Sequence, residues 1–425
     1  MKILHLNTLD DYGAARGALF IHNNLKAKGH HSKLLVASKT KDNPDTIPIN
    51  YSAWQRFRSR LLQSYFYRIR ASFLQHSQYF YLDYNYAGLS AEQILARVDF
   101  KPDIIMLHWI ANFITPRVIS DLQQLTGAPV VWYLQDAFPI TGGCNYTFGC
   151  ERYADQCGKC PIIGSDQIHD WSFKNWKNRH RYYKDLDLTM VCGSSWSLNH
   201  ALKSSNARDK LHKEIILHAL DINVFEPVEK TKARQIFDLP IEKKILFFGA
   251  QSLNEERKGI RYLMEALSLM KKKLADLEQI DKEIIVAVAG RGEISSTEIP
   301  YPVLHLGFID DDRKLSAAYS AADVFVNPST EDYGPMAINE SVLSGTPVVC
   351  FDIGVASDLI HNGQTGYRVT LRDSEGLANG LISILSLSDN KYDAMSQECR
   401  QIGLERCNPS TQADQFTTLF ESLLS

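Results

Sequence analysis

Two acids stand just ahead of a helix start, and a third lies inside that helix. The stretch from Val324 to Pro347 reads VFVNPSTEDYGPMAINESVLSGTP. Asp323-Val324-Phe325-Val326 is short, apolar and β-branched, the pattern of a buried parallel strand. Ser329 and Thr330 break it. Gly334 sits where a helix would begin, and Pro335 suits the first helical position, where a missing N–H costs nothing. The N–H groups of Met336 and Ala337 then point into the loop and offer donors to an anion or to sugar hydroxyls. Asp332 and Glu340 are eight apart, so they fall roughly in line along one side if the helical pattern extends back over the loop. Taken alone, a surface acidic loop beside an ordinary helix has the same look.

Other strand ends carry residues of the same kind. Ile245 to Phe248 is a strand that ends in Gly249, and its loop leads to Arg257-Lys258-Gly259 at a helix start. Adjacent Arg and Lys beside backbone donors suit a diphosphate. Ile284 to Ala289 ends in Gly290-Arg291-Gly292-Glu293, a weaker signal of the same sort. Near the N-terminus, Lys2 to Leu6 is a strand, Asn7 to Gly13 a polar turn, and Ala14 to Lys28 a helix. Gly13 and Arg16 mark a turn in which a ligand can approach the backbone. It is not Gly-x-Gly-x-x-Gly, and no acid follows at the dinucleotide spacing, which argues against nicotinamide. Asp103 to Leu107 ends in His108-Trp109, and Val130 to Leu134 ends in Gln135-Asp136. Carboxyl ends of parallel strands are where open α/β sheets bind ligands, so His108 and Asp136 are site candidates; His108 has a core histidine as its alternative.

Cys144, Cys150, Cys157 and Cys160 are separated by five, six and two residues, with Gly149 and Gly158 supplying tight turns. That spacing suits a closed tetrathiolate zinc site, structural and not catalytic. Reduced, unligated thiols are the next reading and disulfides the last.

The acid loop resembles the acid–seven–acid signature of retaining, nucleotide-sugar-dependent glycosyltransferases of family 4. Glu340-Ser341 through Gly345-Thr346-Pro347-Val348-Val349 matches its second half. Seven residues lie between Asp332 and Glu340 and eight between Glu331 and Glu340, so either takes the place of the first acid. Lys258-Gly259 matches the helix start after the first strand of the second domain, although Ala250 and Gln251 stand where the family carries an Arg, a place Arg257 can fill. Asp221, Phe225 and Pro227 match the segment that opens that domain, while His218 and Ala219 depart from its usual Asn-Gly. His108-Trp109, Leu134-Gln135-Asp136 and Thr141-Gly142-Gly143-Cys144 resemble the members that act on bacterial exopolysaccharides, O-antigens and colanic acid, with Gln135 replacing a histidine.

The resemblance implies the GT-B fold, two Rossmann-like doubly wound domains facing a central cleft. It implies transfer from a nucleotide-diphosphate sugar to a glycan hydroxyl, the acceptor lipid-linked, with no catalytic metal. Glu331 or Asp332 would hold the donor sugar together with Met336 and Ala337, Glu340 the ribose, and Arg257 and Lys258 the diphosphate. A nucleotide-sugar epimerase on the same fold and a non-catalytic assembly scaffold are the alternatives.

The elements that must position these residues alternate strand and helix twice over, as two doubly wound domains require. At 425 residues the chain exceeds one ordinary core. We place an acceptor-binding domain at 1–205, a donor domain at 214–405, and a helix at 406–425 that can cross back to the first domain. Hydrophobic content of 44% and charged content of 22% are ordinary for a globular protein, and a net charge of −3 gives no case for nucleic acid. The start, MKILHLNTL, looks like a strand and not a signal peptide, and no apolar run is long enough to span a bilayer. From Ile49 to Leu82 the chain is basic and aromatic. Arg56, Arg58, Arg60, Arg68 and Arg70 mix with Trp54, Phe57, Tyr65, Phe66 and Tyr67, and no acid occurs between Asp45 and Asp83. This fits a helix on an anionic lipid surface and equally a basic helix packed on its own domain. The expected location is the cytoplasm, peripheral to the inner membrane.

Overall fold

A computed structural model gives the structure of the chain, describing residues 1–71, 77–275, 283–294, 299–334 and 336–425. Pro335 and the side chain of Arg70 lie outside the described residues. The chain divides into two compact units, Met1–Ile216 with Gln412–Ser425, and Leu217–Thr411.

The first unit contains β1 (Lys2–Leu9), α1 (Tyr12–Ala27), β2 (His31–Ser38), β3 (Thr46–Pro48), α2 (Ala53–Ala71), α3 (Ala91–Leu95), β4 (Ile104–Leu107), α4 (Pro116–Thr126), β5 (Val130–Leu134), α5 (Trp171–Tyr183), β6 (Leu188–Cys192) and α6 (Ser195–Lys203). Its sheet is parallel with order β3-β2-β1-β4-β5-β6. β4 and β5 are buried along their whole length, as strands covered on both faces must be.

The second unit runs α7 (Lys230–Ile236), β7 (Lys244–Ser252), α8 (Ile260–Lys273), β8 (Ile284–Arg291), β9 (Val303–Gly307), α9 (Asp312–Ala321), β10 (Val324–Asn327), α10 (Met336–Leu343), β11 (Val348–Phe351), α11 (Ala356–Leu359), β12 (Gly366–Val369), α12 (Ser374–Leu385) and α13 (Asp389–Arg406). Its sheet has the order β12-β11-β10-β7-β8-β9, again parallel. In each unit the chain winds outward one way, returns beside its first strand and winds out the other way. This reversal creates a switch point, between β1 and β4 in one sheet and between β7 and β10 in the other, where loops leave in opposite directions and open a crevice.

The last helix, α14 (Pro409–Leu424), belongs to the first unit. Its Phe416, Leu419 and Phe420 are buried with Ile3, Met106 and Tyr133 of that sheet.

One local expectation is corrected. The Asn7–Gly13 turn is shorter than the sequence suggested, because the β1–β4 ladder runs on. Thr8 N–H donates to Trp109 O at 2.7 Å, and Trp109 N–H donates to Asn7 Oδ1 at 2.9 Å. Asp10 then accepts the N–H groups of Thr40 and Lys41 at the corner. Gly13 and Arg16 are therefore helical residues of α1 and not part of a loop.

Candidate functional site

The acid loop leaves the carboxyl end of β10, and the Arg257-Lys258-Gly259 turn follows β7. The two therefore meet at the switch point of the second sheet. Gly259 makes the approach possible. Its φ is +73°, and a Cβ there would lie 1.8 Å from Pro328 O. Thr330 N–H donates to Arg257 O at 2.8 Å and ties the two loops together.

Asp332 is the hub of this junction. Its Oδ2 accepts from Lys258 Nζ at 2.8 Å and from Arg257 Nη1 at 3.1 Å, while Oδ1 takes the Gly334 N–H at 3.4 Å. Burial opposes the charge of this carboxylate, but the Lys258 and Arg257 cations outweigh burial and hold its pKa down at about 2. Arg257 also donates to Glu331 O at 3.2 Å and to Glu255 Oε1 at 2.6 Å. The Glu331 side chain is buried in the same loop. Met336 and Ala337 open α10, whose leading N–H groups have no acceptor within the helix. Glu340, one turn further, is buried and accepts from Tyr319 Oη at 3.0 Å.

Gly290 and Arg291 end β8 beside this junction. Gly290 has φ +151°, and a Cβ would meet Ala250 O at 2.2 Å. Arg291 is exposed and its guanidinium lies 4.2 Å from the centre of the Phe308 ring.

His218 was visible in the sequence only as a departure from Asn-Gly. It is buried against the acid loop: a Cβ on Gly334 would lie 3.1 Å from its Cδ2, and its carbonyl accepts from Asn339 Nδ2 at 2.9 Å. Burial drives its pKa down to about 4 despite the nearby Asp332 charge, so the ring is neutral at pH 7. Its spacing to the acids, more than a hundred residues along the chain, left no local signal.

The other candidates belong to the first unit. His108 is buried, its Nε2 3.0 Å from His5 Nδ1 with the two rings stacked, and its carbonyl accepts from Trp132 Nε1. Asp136 is buried at the end of β5, and burial raises its pKa to about 7 against the Phe138 N–H, the Trp109 side chain and the Arg179 charge. Beside it both amide atoms of Gln135 are buried without a hydrogen-bond partner among the described residues. Arg179 was not singled out from the sequence. It is fully buried on α5, pairs with Asp83 through two nitrogens at 2.9 and 2.6 Å, and donates to the carbonyls of Phe138 and Thr141. It fixes the turn that carries Asp136. Gly13 and Arg16 lie on α1 of this unit.

Cys144, Cys150, Cys157 and Cys160 do converge, lining one cavity of about 20 Å³ with Phe80, Tyr153 and Ile162. Among the described residues, however, no group of three or more His, Cys, Asp or Glu is arranged to hold a metal ion. The zinc expectation is therefore not supported. Cys144 and Cys160 pack in an apolar cluster with Phe66, Phe80 and Ile162. Burial pushes the Cys144 thiol well up and that of Cys157 to about 12, which keeps both neutral. All four cysteines are free in the structure.

Residues 242–387 match the family described as Glycosyl transferases group 1. The chain carries a glycosyl transferases group 1 domain. Arg257, Lys258, Glu331, Asp332 and Glu340 all fall inside that domain, and His218 stands ahead of it. Phosphatidyl-myo-inositol mannosyltransferase of Mycobacterium leprae is 27% identical over 202 residues, 45% of this chain and 50% of that protein. D-inositol 3-phosphate glycosyltransferase 2 of Catenulispora acidiphila is 26% identical over 175 residues, 39% and 40% of the two chains. The chain thus spans about half, or less, of the length of these curated relatives. Among solved structures, sucrose-phosphate synthase of Thermosynechococcus elongatus aligns over 100% of this chain and 99% of its own with a TM-score of 0.65 at 16% identity. HepE of Anabaena, in complex with UDP and glucose, aligns over 99% and 100% with a TM-score of 0.63 at 15% identity. These likenesses establish the fold. It is GT-B, with the group 1 domain as one of two Rossmann-like units.

Proposed function

We propose that the protein is a retaining glycosyltransferase. It moves a sugar from a nucleotide-diphosphate donor to a hydroxyl of a lipid-linked glycan in bacterial surface polysaccharide biosynthesis, at the inner face of the membrane. The observation that carries this reading is the pair Arg257 and Lys258, both anchored on buried Asp332 at the switch point of the second sheet. Breaking the bond between the sugar and the diphosphate leaves negative charge on the phosphate oxygens. Cations already positioned on a buried carboxylate, together with the N-terminus of α10, meet that charge without reorganising, which is the electrostatic form of catalysis.

The Asp332 carboxylate is engaged by both cations and by Gly334, so we assign it to organising the loop and Glu331 to the donor sugar. Glu340 is assigned to the ribose and Gly290 and Arg291 to the nucleotide. In the first unit, Asp136 and Gln135, at a strand end, are assigned to sugar hydroxyls, with Gly13 and Arg16 near the acceptor; His108 supports this wall through His5. The names of the curated relatives, a mannosyltransferase and a glycosyltransferase, support sugar transfer, and the UDP and glucose bound to HepE support the donor class.

The test is a scan of nucleotide sugars with purified protein and crude bacterial membranes, followed by the anomeric configuration of any product. Transfer with retention is expected. Absence of nucleoside-diphosphate binding at millimolar concentration by calorimetry would exclude the donor site.

A further inference from the structure

Helix α2 has two faces with different fates. Gln55 and Phe66 are buried, and Leu62 packs on the apolar cluster around Phe80. Arg58 is structural, donating to the carbonyls of Asn85 and Tyr86 at 2.9 and 2.7 Å. Away from that face Trp54, Phe57, Leu61 and Tyr65 are 68%, 57%, 58% and 59% exposed. Their spacings of three, four and four place them in one stripe along the helix. Arg56 and Arg60 occupy the adjacent row with Tyr67, which is 72% exposed, and Arg68 extends the stripe itself. Four large apolar side chains in water on one helix face is not the pattern of scattered surface residues.

We propose that this stripe of α2 docks on an anionic lipid bilayer, with Trp54, Phe57, Leu61 and Tyr65 entering the headgroup–acyl boundary and Arg60 and Arg68 meeting lipid phosphates. The inference rests on the reading above, in which the acceptor is carried on a lipid. Two observations select a bilayer over a protein partner. The first is charge: the segment between Asp45 and Asp83 holds five Arg and no acid in a chain of net charge −3, so the positive field is local and lies beside the stripe. The second is area. Four side chains of roughly 150–250 Å² each, a little over half exposed, offer on the order of 400–500 Å², against the ~800 Å² per partner that a stable protein interface buries. An interfacial helix needs no more than a narrow apolar face with flanking cations.

The experiment is co-sedimentation of the full chain with vesicles of phosphatidylcholine alone and with about one third phosphatidylglycerol, at low and high salt. Binding to the anionic vesicles at low salt and release at high salt are expected. Trp54→Ser with Phe57→Ser should lower the partition coefficient at least about tenfold, and Arg60→Gln with Arg68→Gln should remove the salt dependence. All four positions are solvent-facing, so an unchanged melting temperature confirms the variants fold. No binding of the wild type to anionic vesicles at low salt overturns the proposal. So does a dimer in sedimentation equilibrium that the Trp54 and Phe57 variant disperses, because the stripe is then an interface between copies. UDP and GDP binding is measured on the same samples: vesicle binding without nucleotide binding upholds the docking helix and overturns the transferase reading alone.

Discussion

Lys258 Nζ and Asp332 Oδ2 lie 2.8 Å apart across the switch point of the second sheet, joining the loop after β7 to the loop after β10. A diphosphate arriving there can accept from the ammonium donors that Asp332 does not use. Lys258→Ala should weaken nucleoside-diphosphate binding by the loss of one charge-assisted hydrogen bond, about 1.5–3 kcal/mol or roughly 10- to 150-fold. Calorimetric titration checks it, and unchanged affinity would remove Lys258 from the donor site. In the same assay Glu331→Ala should lower turnover more than it lowers melting temperature, and Asp332→Ala the reverse, since only the latter takes the shared carboxylate from buried Arg257 and half-buried Lys258.

Acid should expose the same pair. The Asp332 pKa is lowered from 3.8 to about 2 in the folded chain. A lowered carboxylate contributes stability that is complete above the unfolded value and is lost as pH falls toward the folded one. The contribution, on the order of 2 kcal/mol, should therefore disappear between about pH 4 and pH 2. Asp136 has the opposite sign: raised to about 7, it costs stability increasingly as pH climbs from about 4 to 7. Asp332→Asn should flatten the acid limb of a melting-temperature profile, and Asp136→Asn should raise the melting temperature at pH 8 by at least about 2 °C.

Gly259 is the steric key to the junction. Adding one methyl places it 1.8 Å from Pro328 O on a backbone at φ +73°. Neither the carbonyl nor the turn can yield alone, so Gly259→Ala should destabilise the second unit by more than about 1–3 kcal/mol and should separate the two loops. Loss of nucleotide affinity beyond that of Lys258→Ala, in protein that remains folded at low temperature, is the expected signature.

The thiols give a chemical test of burial. Cys144, Cys157 and Cys160 are buried and Cys150 half-buried. A disulfide reagent should reach Cys150 first and the other three only on unfolding, with metal analysis finding no stoichiometric zinc. One zinc per chain would restore the tetrathiolate that the spacing suggested.

The cysteine spacing also marks how far the sequence could be read. Strand positions were legible because a doubly covered parallel strand is a short apolar run: Val130–Leu134 and Val348–Phe351 have the ends their composition implies. The acid loop and the Arg257-Lys258 turn were legible as strand-end chemistry, but their ion pair is a product of topology, because β7 and β10 become neighbours only once the sheet reverses. His218 and Arg179 were invisible as site-shaping residues for the same reason: their partners lie about a hundred residues away or arrive from another element. The Gly13 turn was misjudged because strand β1 is extended by side-chain and backbone bonds to Trp109, which no local pattern encodes.

Gln135 carries the last prediction. Its Oε1 and Nε2 are both buried with no hydrogen-bond partner among the described residues, next to Asp136 at the end of β5. A buried amide left unpaired costs about 1–3 kcal/mol, a cost that the folded chain bears in the absence of ligand. If the amide is kept for a sugar hydroxyl, an apolar side chain of similar size should separate the two effects. Gln135→Leu should raise the melting temperature, because the desolvation penalty is gone. It should also lower turnover by roughly tenfold or more, because a hydroxyl then enters the site without a partner. Restoring a hydrogen-bonding ring with Gln135→His should recover part of the turnover and little of the added stability. A Gln135→Leu enzyme that is more stable and fully active would show that the amide faces no substrate.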